Sequence, residues 1–176
     1  MQSPTATGKR EFVKGLGSNL AKRYFIEINT LYLDMEAGLL DFCQLTDVSI
    51  FEKGLYVQVE LQSPKDSLYL GRTYFVNILF STYYFQAPKI SILDLYHPNI
   101  YTEEIATMLK LDDNNFDISS TWLPIYDLRS IIYTVYALFV AIEFDTDCIK
   151  NSDAYLWYTE DQDVFAANAL TMHQEA

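Results

Sequence analysis

Cysteine and histidine are scarce in this 176-residue chain, which holds two of each: Cys43, Cys148, His97 and His173. The cysteines lie far apart and no Cys-x-x-Cys occurs, so neither a zinc site nor a redox pair is indicated. Reduced thiols fit a cytosolic or nuclear setting. Cations are few as well, 12 Lys and Arg against 24 Asp and Glu, for a formal net charge of −12. A field of that sign repels phosphate backbones, so nucleic acid is not an expected partner. The acids serve first to keep an aromatic-rich chain in solution. No apolar run reaches the roughly 20 residues needed to cross a bilayer, and no membrane partner is expected. The most apolar stretch, 131–144, is shorter, ends in acidic residues and reads as a buried helix. The opening MQSPTATGKREF has no apolar core behind a basic start and is not read as a secretory leader. No internal repeat is visible.

What is present is core material. Half of the chain is apolar and 15% is aromatic, with 14 Tyr and 11 Phe, at the length of one ordinary domain. Residues 1–17 read as a flexible tail. Ser18 or Asn19 can cap a helix through Leu20, Tyr24, Ile28, Leu31 and Met35, stopped by Gly38. Strands are expected at Val48–Phe51, Leu55–Leu61, Thr73–Phe80 and Lys89–Leu95. Their residues are β-branched or aromatic, and Val57, Val59 and Leu61 alternate with polar neighbours as on a sheet with one wet face. Short turns between them imply an antiparallel meander. Residues 96–125 read as irregular, with an exposed acidic loop at Asp112–Asp117. Asp127 can cap a core helix of Leu128, Ile131, Ile132, Val135, Leu138, Phe139 and Ile142. A last helix is expected to start with Ser152 or Asp153 as its cap and to carry Ala154, Trp157, Tyr158, Phe165 and Leu170. The order predicts an α+β fold with helices against an antiparallel sheet.

Motifs fall along this frame in a fixed order. Pro64-Lys-Asp-Ser-Leu-Tyr-Leu-Gly71 is followed by the strand Phe75–Phe80, Tyr83-Tyr-Phe-Gln-Ala-Pro-Lys89 and Tyr96-His-Pro-Asn-Ile100. Trp122-Leu-Pro124, the helix after Asp127, and Asn151-Ser-Asp-Ala154 with Tyr158 come next. Alone, His-Pro-Asn is a turn signal. As a series over roughly residues 20–170, the motifs resemble the ubiquitin-conjugating (E2) family. That resemblance implies a UBC-like domain at 18–172, with an N-terminal helix, a four-stranded meander, a core helix and C-terminal helices. It needs no cofactor and no metal.

The family's chemistry runs through a cysteine thiolate, nucleophilic near neutral pH, which carries ubiquitin as a thioester. The resemblance gives Asn99 the place of the residue credited with steadying the oxyanion or holding the loop. His97 and Pro98 complete that turn. The cysteine position falls on Ala106 or Thr107, according to whether Ile105 or ungapped counting sets the alignment. Neither residue can form a thioester, so a non-catalytic variant is expected. Glu103-Glu104 replaces the usual loop glycine, and Tyr84, Ala87 and Ser152 replace prolines. Cys43 reads as a small core hydrophobe. Cys148 lies near Asp145 and Asp147 and is the alternative nucleophile, although neighbouring acids raise a thiol pKa. The resemblance also implies partners: ubiquitin or a ubiquitin-like protein, an active E2, or an E3 ligase. Phe85 matches the aromatic of the first ligase-gripping loop and Pro124 the proline of the second, Leu123 stands where a small polar residue is common, and Ile125 follows, with Lys22 and Arg23 on the first helix. These loop residues form either an exposed hot spot or a cluster buried against itself. The cations are either a contact or a solvated face. A scaffold that has left the ubiquitin system is the remaining alternative.

Overall fold

The computed structural model describes residues 18–51, 54–81, 85–101, 115–140 and 149–172. The expected tail at 1–17, Ala106, Thr107, Cys148 and the first half of the acidic loop, 112–114, lie outside these residues. Within them the chain runs α1 (Ser18–Glu36), β1 (Cys43–Phe51), β2 (Gly54–Gln62), β3 (Thr73–Ser81), β4 (Lys89–Ile92), α2 (Leu128–Val140), α3 (Ser152–Glu160) and α4 (Gln162–Met172). None of the described helices is long and apolar enough to cross a membrane.

The strands form one antiparallel sheet in the order β1-β2-β3-β4, the expected meander. Side chains alternate across it, so Leu55, Val57, Val59 and Leu61 of β2 and Tyr74, Val76, Ile78 and Phe80 of β3 face one core. The opposite face is wetter and carries a polar ladder. Tyr56 Oη donates to Asn77 Oδ1 at 2.8 Å, Gln58 Nε2 donates to the same oxygen at 2.9 Å, and Thr46 Oγ1 donates to Gln58 Oε1 at 3.0 Å. β1 starts at Cys43, earlier than the Val48 read from the sequence. A bulge at Thr46 shifts its register. The extra residue interrupts strict alternation, so the stretch before Val48 does not look like a strand. β4 ends at Ile92 rather than Leu95, because Asp94 turns the chain at φ 56°.

Helix α2 lies over the core with Leu128, Ile131, Ile132, Val135, Leu138 and Phe139 buried. Asp127 caps it as expected: its Oδ1 accepts the Ser130 N–H at 2.8 Å. α1 ends at Glu36, just before Gly38 at φ 71°, where a glycine has no Cβ to strain. Two expectations for the C-terminus need correction. The cap of α3 is Asn151, whose side chain accepts the Ala154 N–H at 3.0 Å, not Ser152 or Asp153. The expected single last helix breaks at Asp161, whose extended backbone ends α3 and whose Oδ1 accepts the Asp163 N–H to open α4. Phe165 of α4 then turns into an aromatic cluster with Tyr69, Tyr96 and Tyr158.

Candidate functional site

The His-Pro-Asn turn is built into the floor of the domain. His97 is fully buried, and its Nδ1 accepts the Asn99 N–H at 3.0 Å. The Ile100 N–H closes the turn on the His97 carbonyl at 3.1 Å. Nδ1 is therefore the unprotonated nitrogen, and Nε2 carries the hydrogen. Burial holds the imidazole neutral, with its pKa pushed down to about 3. Neither His97 Nε2 nor Asn99 Oδ1 has a hydrogen-bond partner among the described residues. Before the turn, Tyr69 Oη donates to the Tyr96 carbonyl at 3.2 Å, anchoring it to the Pro64–Gly71 segment. After it, the Pro98 carbonyl accepts two N–H groups, from Lys150 at 2.8 Å and Asn151 at 2.9 Å. One oxygen thus joins the turn to the cap of α3.

The segment that resembles the reactive-cysteine loop leaves the described chain at Tyr101 and returns at Asn115. These two ends are tied, since the Tyr101 N–H donates to the Asn115 carbonyl at 3.2 Å. The Asn115 side chain then acts as a short strand against β4. It accepts the Ile92 N–H at 2.8 Å and donates to the Ile92 carbonyl at 2.7 Å. The next residue, Phe116, donates its N–H to the Ile90 carbonyl at 3.2 Å. The Lys150 ammonium sits 5.1 Å from the centre of the Tyr101 ring.

Cys43 takes no part in this arrangement. It is the first residue of β1, packed in the core, and burial pushes its thiol up to about 12. The expected core role holds, and a thiol so buried is a poor nucleophile at neutral pH. Among the described residues, no group of His, Cys, Asp and Glu could hold a metal ion.

A second region gathers at one end of the sheet. Tyr24 of α1 donates to the Ser81 carbonyl at the end of β3 at 2.8 Å, and Ser81 Oγ donates to Gln86 Oε1 at 3.2 Å. Buried Trp122 meets Phe80 edge-on and leads into the turn Leu123–Tyr126. The loop residues lie at the surface rather than buried against one another. Phe85 is 82% exposed, Leu123 53% and Ile125 82%, with Pro124 half-buried.

The two cations on α1 diverge. Lys22 points to solvent, whereas Arg23 turns inward and bonds to Glu27 and to the carbonyl of Pro124. Glu27 was not legible as a functional residue. It is a buried carboxylate whose Oε2 accepts the Leu128 N–H, and its i, i+4 spacing from Arg23 was the one available signal. Burial pushes the Glu27 carboxyl up, against the opposing pull of Arg23 and the Leu128 N–H. A groove of about 390 Å³ opens beside it between α1 and α2, lined by Lys22, Arg23, Ile26, Asp127 and Arg129 among others. Its cations are largely matched in place, Arg23 by Glu27 and Arg129 by Asp34 and Asp127, which leaves little net field for an anion.

An antiparallel meander under one core helix, with a buried His-Pro-Asn turn and a Trp-x-Pro turn beside the first helix, defines a UBC-type α+β domain. The chain matches the family model described as ubiquitin-conjugating enzyme over residues 39–173, and it belongs to that family. A search of curated proteins finds no match.

Proposed function

We propose that the chain is a non-catalytic E2-like binding module of ubiquitin or ubiquitin-like conjugation, which engages a modifier, an active E2 or an E3 ligase. The observation that carries this reading is the exposure of Phe85 and, in the Trp-x-Pro turn, of Leu123 and Ile125. Large apolar side chains left in water at one end of a domain are the usual centre of a protein interface. The reading is supported by the resemblance, which puts the family's cysteine position at Ala106 or Thr107, and by the core burial of Cys43, which disfavours it as a substitute. On this reading His97, Pro98 and Asn99 keep a structural turn rather than steady an oxyanion, and Lys22 supplies a rim contact.

The test is a charging assay with ATP, activating enzymes and a panel of ubiquitin-like modifiers, run on gels without reductant. No thiol-sensitive adduct is expected with any modifier. An adduct that disappears in Cys148→Ser overturns the reading and makes the chain a transferase. The binding half is tested by capture of purified conjugating enzymes, ligase domains and modifiers. Capture is expected to be lost in Phe85→Ala and in Ile125→Asp. Failure to capture any of them places the chain outside the ubiquitin system.

A further inference from the structure

We propose that Arg23 and Glu27 are positioning residues, which latch the Leu123–Tyr126 turn and the start of α2 onto α1 and so set the shape of the apolar surface that the turn presents. The purpose of the latch rests on the docking reading above, while its geometry stands apart from it. Arg23 Nε donates to Glu27 Oε1 at 2.8 Å. Its Nη2 donates to the Pro124 carbonyl at 3.1 Å and reaches the Tyr126 carbonyl at 3.5 Å. The second oxygen of Glu27 accepts the N–H of Leu128, the first residue of α2, at 3.2 Å.

Each part suits its task. A guanidinium is a rigid planar fork, so one edge can serve a carboxylate while another serves carbonyls; an ammonium has no such fixed directions. The first N–H groups of a helix have no acceptor within the helix, and the carboxylate of Glu27 supplies one from across the fold. Asp127 meets the need two residues later at Ser130, so the start of α2 is held from both sides. Leu123 and Ile125 face solvent, while the Trp122 ring packs edge-on against Tyr126 with centroids 5.9 Å apart and joins the two ends of the turn. The Tyr126 N–H bonds to the Leu123 carbonyl at 2.9 Å, so the backbone closes on itself, and the Arg23 fork ties that closed turn to α1. Arg23 therefore acts through the loop rather than as a partner contact, which leaves Lys22 as the cation of α1 that faces outward.

Amide hydrogen exchange reads the latch with no partner present. In Arg23→Ala, exchange at the Tyr126 and Leu128 amides is expected to rise at least tenfold while the amides of β2 and β3 keep their rates. Arg23→Lys, with the charge but not the fork, is expected to restore little at Tyr126. Ile125→Asp alters the surface only and is expected to exchange as the parent does. Parent rates at Tyr126 and Leu128 in Arg23→Ala overturn the proposal. So does an equal acceleration across the sheet, which marks a global loss of stability. The two readings fail separately. Capture lost in Ile125→Asp, with parent exchange in Arg23→Ala, keeps the docking surface and removes the latch. Fast local exchange in Arg23→Ala, with capture kept in Ile125→Asp, keeps the latch and removes the docking surface.

Discussion

Protonating His97 should weaken the fold over a pH range in which most carboxylates are still ionised. In the fold its pKa is about 3 and its ordinary value is 6.5. The unfolded chain therefore binds a proton that the folded chain refuses between those values. The stability that neutral His97 contributes is complete above about pH 6.5 and is lost as the pH falls toward 3. Integrating the linkage from pH 7 to pH 5 gives a loss of about 2 kcal/mol. The assay is urea unfolding at pH 7 and pH 5, comparing the parent with His97→Asn. Asparagine can offer Oδ1 to the Asn99 N–H where Nδ1 now accepts it, and it does not titrate. The variant starts less stable, since it leaves space in the core, but its change between the two pH values should be smaller by about 2 kcal/mol. Glu27, His173 and the other acids are common to both proteins and cancel in the difference. Equal pH dependence in parent and variant would refute the reasoning, because it would mean that the imidazole takes up its proton without unfolding.

Three further outcomes test the local geometry. Gly54→Ala should cost about 3 kcal/mol or more in thermal unfolding, because φ is 154° and a Cβ there would collide with the Phe80 carbonyl oxygen. Leu70→Asn should stabilise the domain by about 0.5–1 kcal/mol in denaturant titration, because Leu70 sits at φ 54° with 56% of its surface in water and asparagine tolerates that backbone better. Asn151→Ala should cost about 1 kcal/mol by the same measurement, through loss of the bond to the Ala154 N–H.

The parts of the fold that were legible in the sequence are those fixed by neighbours along the chain. The alternation at Val57, Val59 and Leu61 gives the buried face of β2, Gly38 gives the end of α1, and Asp127 gives the start of α2. Misreadings arose where a single residue changes the local rule. The bulge at Thr46 hid the first half of β1, and the extended backbone of Asp161 split one apolar helix into two. The α3 cap was placed late because Asn151, Ser152 and Asp153 are all good caps, and only the bond to Ala154 decides among them. The site divides the same way. The His-Pro-Asn turn and the Trp-x-Pro turn are local signatures and were found. The Glu27 bond to Leu128 and the Asn115 bonds to Ile92 join residues distant in sequence, and no local pattern announces such pairs. The exposure of Phe85 and Ile125 was also beyond the sequence, since an aromatic and an aliphatic residue read alike in a core and on an interface.

Asn115 also bears on how such a domain can change over evolutionary time. Its side chain completes the edge of β4, and its carbonyl meets Tyr101, so the sheet is finished before the segment between them is specified. Closing a loop costs little more when the loop lengthens, because the entropy grows only with the logarithm of its length. The tie between Tyr101 and Asn115 fixes only the two ends, so a longer connection between them costs little more in closure entropy. The length of that connection is thus decoupled from the closure of the sheet edge, which Asn115 completes on its own.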